Sequence, residues 1–216
     1  MSEFSSWDVL RNLLLAVPWT LALSVIAFIG GTCIGLVLLV LRIKSPVKAG
    51  RFIAWYVQVF QGTPLLMQLF LTYFGLSLLG LELSPLLTAT LCLSFYASAY
   101  LTETWYGCVA SIARGQWDAS ASLALSFYEQ LRYVIFPVAF RVSIPPTVGL
   151  MVQIIKNTSL ASIIGFVELT RTGQIITNIT YDPFFVYGLV ALIYFVICFS
   201  VSMGGRSLER KFSFTH

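Results

Sequence analysis

Five long stretches of the chain carry almost no charge. Asp, Glu, Lys and Arg are absent from Leu13 to Leu41, Phe52 to Leu81, Leu83 to Thr102 and Pro183 to Gly205, and Val142 to Val167 is interrupted only by Lys156. Each is long enough to supply the roughly 20 residues with which a helix crosses hydrocarbon. The apolar positions run continuously instead of alternating, so helices are expected and not the strands of a barrel. The pattern predicts an all-α membrane protein of about five transmembrane helices, with spans at about 13–41, 64–81, 84–103, 140–160 and 183–205.

Breakers subdivide this pattern. Gly62-Thr63-Pro64 splits the second run. Pro64 removes a backbone donor and disfavours helical backbone at Thr63. Residues 52–61 are therefore expected as a separate helical piece near one interface, with Trp55 and Tyr56 at headgroup depth. Glu82 marks the far end of the span that follows. The first span holds Gly31-x-x-x-Gly35, a spacing that lets helices approach closely, although glycine is common in membrane helices. The basic loop 42–51, with Pro46 and Gly50, ends that span. Pro145-Pro146 stand near the start of the fourth.

The longest segment between spans runs from about 104 to 137. Trp117, Ala121, Ala124, Tyr128 and Leu131 recur at steps of 4 and 3, a helical stripe. Ser126-x-x-Glu129 is a possible capping box. One short helix ending near Leu125 and a second starting at Ser126 are expected, the second interrupted by Pro137. Periodicity alone fits a docking surface and an interfacial linker resting on headgroups equally well.

Composition agrees with the membrane reading: 58% of the 216 residues are hydrophobic and 10% charged, against about 25% charged in a soluble domain. Charge also sets an orientation. With the N-terminus outside and the C-terminus inside, ten of the 13 Lys and Arg face inward: Arg42, Lys44, Lys48, Arg51, Arg114, Arg132, Arg141, Arg206, Arg210 and Lys211. The net charge of +4 is accounted for by topology, without nucleic acid. Residues 1–12 then form a periplasmic segment, 13–205 the membrane domain and 206–216 a cytoplasmic tail. Glu3, Asp8 and Arg11 leave no basic region before the first run, which is also too long for a secretory leader, so it is expected to stay as the first span. Cys33, Cys92, Cys108 and Cys198 have no metal or redox spacing and read as packing residues.

Several chemistries have no residues to carry them. There is no G-x-x-x-x-G-K-[ST], H-E-x-x-H or G-x-S-x-G, and the single histidine is His216. Neither a catalytic site nor a metal site is expected.

Four segments together resemble the polar-amino-acid permeases of bacterial ATP-binding-cassette importers. They are Gln61-Gly62-Thr63-Pro64-Leu65-Leu66 with Gln68-Leu69-Phe70; Ala99-Tyr100-Leu101-Thr102-Glu103; Arg114-Gly115-Gln116-Trp117-Asp118-Ala119-Ser120; and Lys156-Asn157-Thr158-Ser159-Leu160. The third opens what looks like the family's inner-loop pattern, E-A-A-x3-G-x9-I-x-L-P. Asp118, Ala119, Ser120, Ala124, Val134, Phe136 and Pro137 stand at its positions, and Ala119 and Pro137 keep the family's residue. Alanine does not readily take positive φ, so with Ala124 at the usual glycine the loop is expected to be more continuously helical than the family's turn. The resemblance implies that the loop is the coupling helix seated in a cleft of an ATPase subunit. Gly115, Ala119, Ser120 and Ala121 would allow close approach, and Trp117 and Tyr128 would anchor it.

The same resemblance implies a permease with no cofactor of its own, ATP and Mg being bound by a separate ATPase dimer. It also implies a second permease subunit, with a non-identical partner slightly favoured by the altered loop, and a periplasmic or lipid-anchored solute-binding protein. Polar residues within or bordering the spans are the candidates for the substrate path: Thr63, Gln68, Glu103, Lys156, Asn157, Thr158 and Ser159. Each has a plainer alternative. Glu103 could pair with a basic residue, Lys156 could snorkel, and Thr158 and Ser159 could cap a short helix. Lys156 beside Asn157 favours a neutral or acidic polar amino acid such as glutamine, glutamate or aspartate. The competing functions are a gradient-driven secondary transporter, which would usually show inverted repeats and more spans, and a scaffold that transports nothing.

Overall fold

The computed structural model describes residues 5–212, and among these the chain is built from helices joined by short turns. His216 lies outside the described residues. The elements are α1 Ser6–Lys44, α2 Lys48–Gly62, α3 Leu65–Leu78, α4 Pro85–Ala110, α5 Arg114–Ser122, α6 Phe127–Ile164, α7 Leu169–Thr180 and α8 Pro183–Phe212. Of these, α1, α4, α6 and α8 are long and apolar enough to cross a membrane.

The second expected span, at about 64–81, is shorter than its apolar run. Pro64 stops helix on one side of α3, and a turn with Gly80 at φ +82° stops it on the other, so Leu65–Leu78 falls below the roughly 20 residues of a simple crossing. The other spans overrun their expected limits, because helical hydrogen bonding continues past the hydrocarbon wherever a cap permits. Ser5 and Asp8 close a capping box that starts α1 well before residue 13, and α8 continues through residues assigned to the tail.

α4 is the central helix: 61% of the residues in its most apolar window are buried, against 11% for α8. Leu93 and Tyr96 of α4 join Leu23 and Ala27 of α1, Leu65 and Leu69 of α3, and Ile154 and Ala161 of α6 in the largest core cluster. Ser84 starts α4 by accepting from the amide of Leu87 at 3.2 Å, with Pro85 in the first turn. Gly31 and Gly35 form the α1–α4 seam. A Cβ on Gly31 would lie 2.5 Å from the Cβ of Ala97, and the carbonyl of Gly35 accepts from Thr102 Oγ1 at 3.3 Å. The small-residue spacing is thus a helix contact. Phe184, Phe195, Val196 and Phe199 of α8 remain exposed, a surface suited to lipid or another apolar chain.

Tyr56 faces α4: its hydroxyl lies 2.6 Å from Ser98 Oγ and donates to the Phe95 carbonyl at 3.1 Å, while Trp55 is exposed. Two local expectations are corrected. Pro137 does not interrupt the second loop helix. A π-helical turn over Gln130–Ile135 shifts the hydrogen-bond register just before it, placing Pro137 in the first turn of the regular helix that follows, where a missing N–H is tolerated. The loop is also not continuously helical. Ala124 adopts φ +56°, so α5 and α6 are separated by a real turn. Amide bonds from Leu123, Ala124 and Leu125 back into α5 close that turn, outweighing the alanine's resistance.

Candidate functional site

The break between α2 and α3 is held by one side chain. Gln68 Nε2 donates to Thr63 Oγ1 at 2.8 Å and lies 3.1 Å from the Phe60 carbonyl and 3.2 Å from the Thr63 carbonyl. Two of these neighbours are carbonyls, so the amide nitrogen must face them. Its Oε1 is left buried with no hydrogen-bond partner in the chain. Thr63 in turn donates its hydroxyl to the Val59 carbonyl at 2.7 Å. Thr63 and Gln68 are therefore one unit, a clasp with a spare acceptor.

Across the same core cluster, α6 tightens into a 3-10 turn at Thr158. Lys156 is exposed, Asn157 and Ser159 half-buried and Thr158 fully buried. Thr158 Oγ1 donates to the Ile155 carbonyl and Ser159 Oγ to the Lys156 carbonyl, both at 2.7 Å. Their hydroxyl protons are spent on carbonyls of their own helix, and neither side chain caps a helix start, so the capping alternative is not realised.

Sequence reasoning missed Tyr96, which interacts with Asn157, and two residues grouped with it. Gln153, one turn earlier, donates to the hydroxyl of Tyr96 at 2.9 Å, and the Tyr96 and Tyr100 rings lie 4.6 Å apart on α4. The argument applied to Gln68, an amide inside an apolar run, would have found Gln153.

Glu103 sits apart from these groups. It forms a salt bridge with Arg42 at the α5 end of the bundle, and the Arg42 guanidinium also lies 3.8 Å from the centre of the Tyr106 ring. The pairing alternative is realised there.

Glu168, the residue just before α7, is fully buried. It caps α7 by accepting from the Arg171 amide at 2.9 Å, and it accepts from the Tyr194 hydroxyl at 2.8 Å and Thr20 Oγ1 at 3.5 Å. Burial pushes its carboxyl above the ordinary range, and these hydrogen bonds oppose the shift.

The α5 loop folds onto the bundle through two inward positions one turn apart. Trp117 packs against Val109, Ile112, Leu131 and Ile135, and Ser120 is buried, its hydroxyl donating to the Trp117 carbonyl at 2.8 Å. Gly115, Asp118, Ala119, Ala121 and Ala124 face outward. The expected single stripe is therefore split: Trp117 and Leu131 point into the core while Ala121, Ala124 and Tyr128 point away; Ala121 is already outward within α5, and the turn at Ala124 resets the helical phase before Tyr128. Leu123, 75% exposed at the tip, was not singled out from sequence and is the most exposed large apolar side chain of the loop. Ser126 and Glu129 form the capping box, and the Ser126 hydrogen bonds hold the Glu129 carboxyl below its ordinary range. Asp8, which is half-buried, and Glu168 cap other helices, and no group of His, Cys, Asp and Glu that could hold a metal is found among the described residues.

The family model described as "Binding-protein-dependent transport system inner membrane component" matches residues 31–214. The chain is 31% identical to the probable amino-acid ABC transporter permease protein YckA of Bacillus subtilis (strain 168), over 96% of each protein. It is 33% identical to the glutamine transport system permease protein GlnP of Escherichia coli (strain K12), over 95% of this chain and 94% of that one. The crystal structure of an amino acid ABC transporter with histidines matches at 30% identity with a TM-score of 0.89, over 93% of this chain and 94% of its own.

Proposed function

The chain belongs to the family of binding-protein-dependent transport system inner membrane components, transport permeases and not enzymes, and from that premise we propose that it is the permease subunit of an ATP-binding-cassette importer for a polar amino acid. One observation carries the substrate reading. The spare Gln68 acceptor and the Gln153–Tyr96–Asn157 polar group belong to helices sharing one core cluster. An amino acid moving between them would meet amide and hydroxyl groups at a point where broken helices also offer backbone dipoles. Thr63, Gln68, Lys156, Asn157, Thr158 and Ser159 line this route, and Glu103, paired with Arg42, stands apart from it.

A neutral or acidic polar amino acid fits these charges. Glu103 is neutralised by Arg42 and Glu168 is enclosed by hydroxyls and amides, whereas Lys156 stands beside Asn157 with its ammonium exposed.

The loop Arg114–Ser122 is the coupling helix. Trp117 and Ser120 fix it to the spans, so a push on its outward face is transmitted to α4 and α6. Gly115, Asp118, Ala119, Ala121, Tyr128 and the tip of the Ala124 turn are its docking surface toward an ATPase dimer that binds ATP and Mg. Pro137 begins the rigid helix that receives the motion. The N-terminus is outside and the C-terminus inside, a second permease subunit completes the path, and a solute-binding protein delivers the amino acid.

Uptake of radiolabelled glutamine, glutamate, aspartate, arginine and lysine into proteoliposomes holding the assembled complex tests this. ATP-dependent uptake led by a neutral or acidic amino acid, abolished by Ala121→Arg with the bundle still folded, is the expected result. Uptake that needs an ion gradient but not ATP would overturn the importer reading, and preference for arginine or lysine would overturn the substrate reading.

A further inference from the structure

Three cavities adjoin the last turns of α1, and the largest and smallest of them share lining residues. The largest, about 460 Å³, is an apolar slot between α1, α4, α6 and α8, lined by Leu36, Val40, Trp105, Phe140 and Leu208 among others. A second, about 340 Å³, shares Val40 and Phe136 with it and is lined at its mouth by Lys44 and Arg132. Leu36, Val40 and Phe140 are exposed, so the slot opens sideways from the bundle. From Thr32 at its closed end to Lys44 at its mouth α1 rises about 18 Å, at 1.5 Å per residue. One leaflet of the hydrocarbon core is about 15 Å deep.

We propose that this groove binds an anionic phospholipid, with an acyl chain in the slot against Trp105 and the phosphate between Lys44 and Arg132. Depth, apolar lining and cationic mouth together match a lipid and not a helix of another subunit. A helix is about 10 Å across with its side chains, and it would bring no phosphate to two cations. The salt bridge found among the described residues uses Arg42, two residues before Lys44, and leaves Lys44 and Arg132 available. Arg132 lies 5.7 Å from the ring of Tyr133, which holds it near the mouth. The occupied groove would tie the ends of α1 and α6 together beside the α5 loop, so lipid charge would set the stiffness of the segment that carries Trp117.

Trp105 reports on the slot directly, since its Nε1 donates to Thr147 Oγ1 at 2.9 Å at the slot wall. The full chain, purified with the subunits it assembles with, is placed in nanodiscs of phosphatidylcholine containing increasing fractions of phosphatidylglycerol brominated on its acyl chains. Fluorescence quenching is compared with a Trp105→Phe control to isolate that residue. Trp105 is expected to be quenched at a several-fold lower fraction of brominated phosphatidylglycerol than of brominated phosphatidylcholine. Lys44→Gln and Arg132→Gln should each raise the required fraction about fivefold, while Lys44→Arg and Arg132→Lys keep the preference. Equal quenching by both lipids, or a preference untouched by the Gln variants, overturns the proposal. Absence of Trp105 quenching by either lipid overturns it as well, by assigning the slot to a protein segment.

Discussion

The hydroxyl of Tyr194 donates to the carboxylate of Glu168 at 2.8 Å, fastening α8 to the first residue before α7. Thr20 of α1 reaches the same carboxylate and also accepts from the Leu169 amide at 3.1 Å, so three helices meet at one buried acid. Removing one donor leaves a buried acceptor short of a partner, a loss of about 1–3 kcal/mol. Tyr194→Phe should therefore lower the unfolding midpoint in detergent, with hydrogen exchange rising first across 165–180. An unchanged midpoint and unchanged exchange would show that the contact holds nothing.

Glu168 and Glu129 give opposite pH dependences. The folded pKa of Glu168 is raised, so its contribution is complete below the unfolded value and is lost as pH rises through the folded one. Glu129 is lowered by Ser126, so its contribution is present above the unfolded value and is lost as pH falls through the folded one. A thermal midpoint followed across the carboxylate range and upward should lose its decline on the alkaline side in Glu168→Gln. It should lose part of its acid-side decline in Glu129→Gln. The two variants behaving alike would contradict the assignment.

Ala124 holds φ +56°, where a Cβ is unfavourable by about 1–2 kcal/mol. Ala124→Gly should protect the loop and raise stability by about 1 kcal/mol. Ala124→Val should destabilise the loop selectively. Hydrogen exchange over 114–136 separates the two, and slower exchange in the Val variant would refute a left-handed turn.

Gly31 lies where an added methyl would press on Ala97 from 2.5 Å, and the atom it meets is a Cβ that cannot rotate away. Gly31→Ala should cost about 1–3 kcal/mol through separation of α1 and α4. Gly62, with open space around its Cβ position, is the control for the same substitution. Equal midpoints for the two alanine variants would argue against a tight seam.

Polar candidates of similar standing in the sequence should differ in transport. Gln68→Ala removes the helix-break clasp and its spare acceptor, and should reduce uptake by tenfold or more. Glu103→Gln breaks only a partly exposed ion pair, worth about 0–1 kcal/mol, and should leave substrate preference unchanged. Measuring KM and maximal rate for both variants in proteoliposomes decides the point. A changed substrate order in Glu103→Gln would place that carboxylate on the path.

The membrane environment, the helical class and the breaks at Pro64 and Ser126 were determined by the sequence alone, because each follows from local composition or from one residue's backbone limits. Charge-free runs leave a segment no stable place in water, and Pro64 disfavours helical backbone at Thr63. Partners across space were decided only by tertiary structure. Glu168 stands between Val167 and Leu169 just past a charge-free stretch, and only folding brings Thr20 and Tyr194 over it and buries it. Trp117 and Tyr128 occupy one helical phase on paper, but the turn at Ala124 sends the first inward and the second outward. Periodicity describes an unbroken helix and cannot register such a reset. Helix length beyond the hydrocarbon was equally hidden, since capping at Ser5 and the π-turn before Pro137 are hydrogen-bond arrangements that hydrophobic runs do not encode.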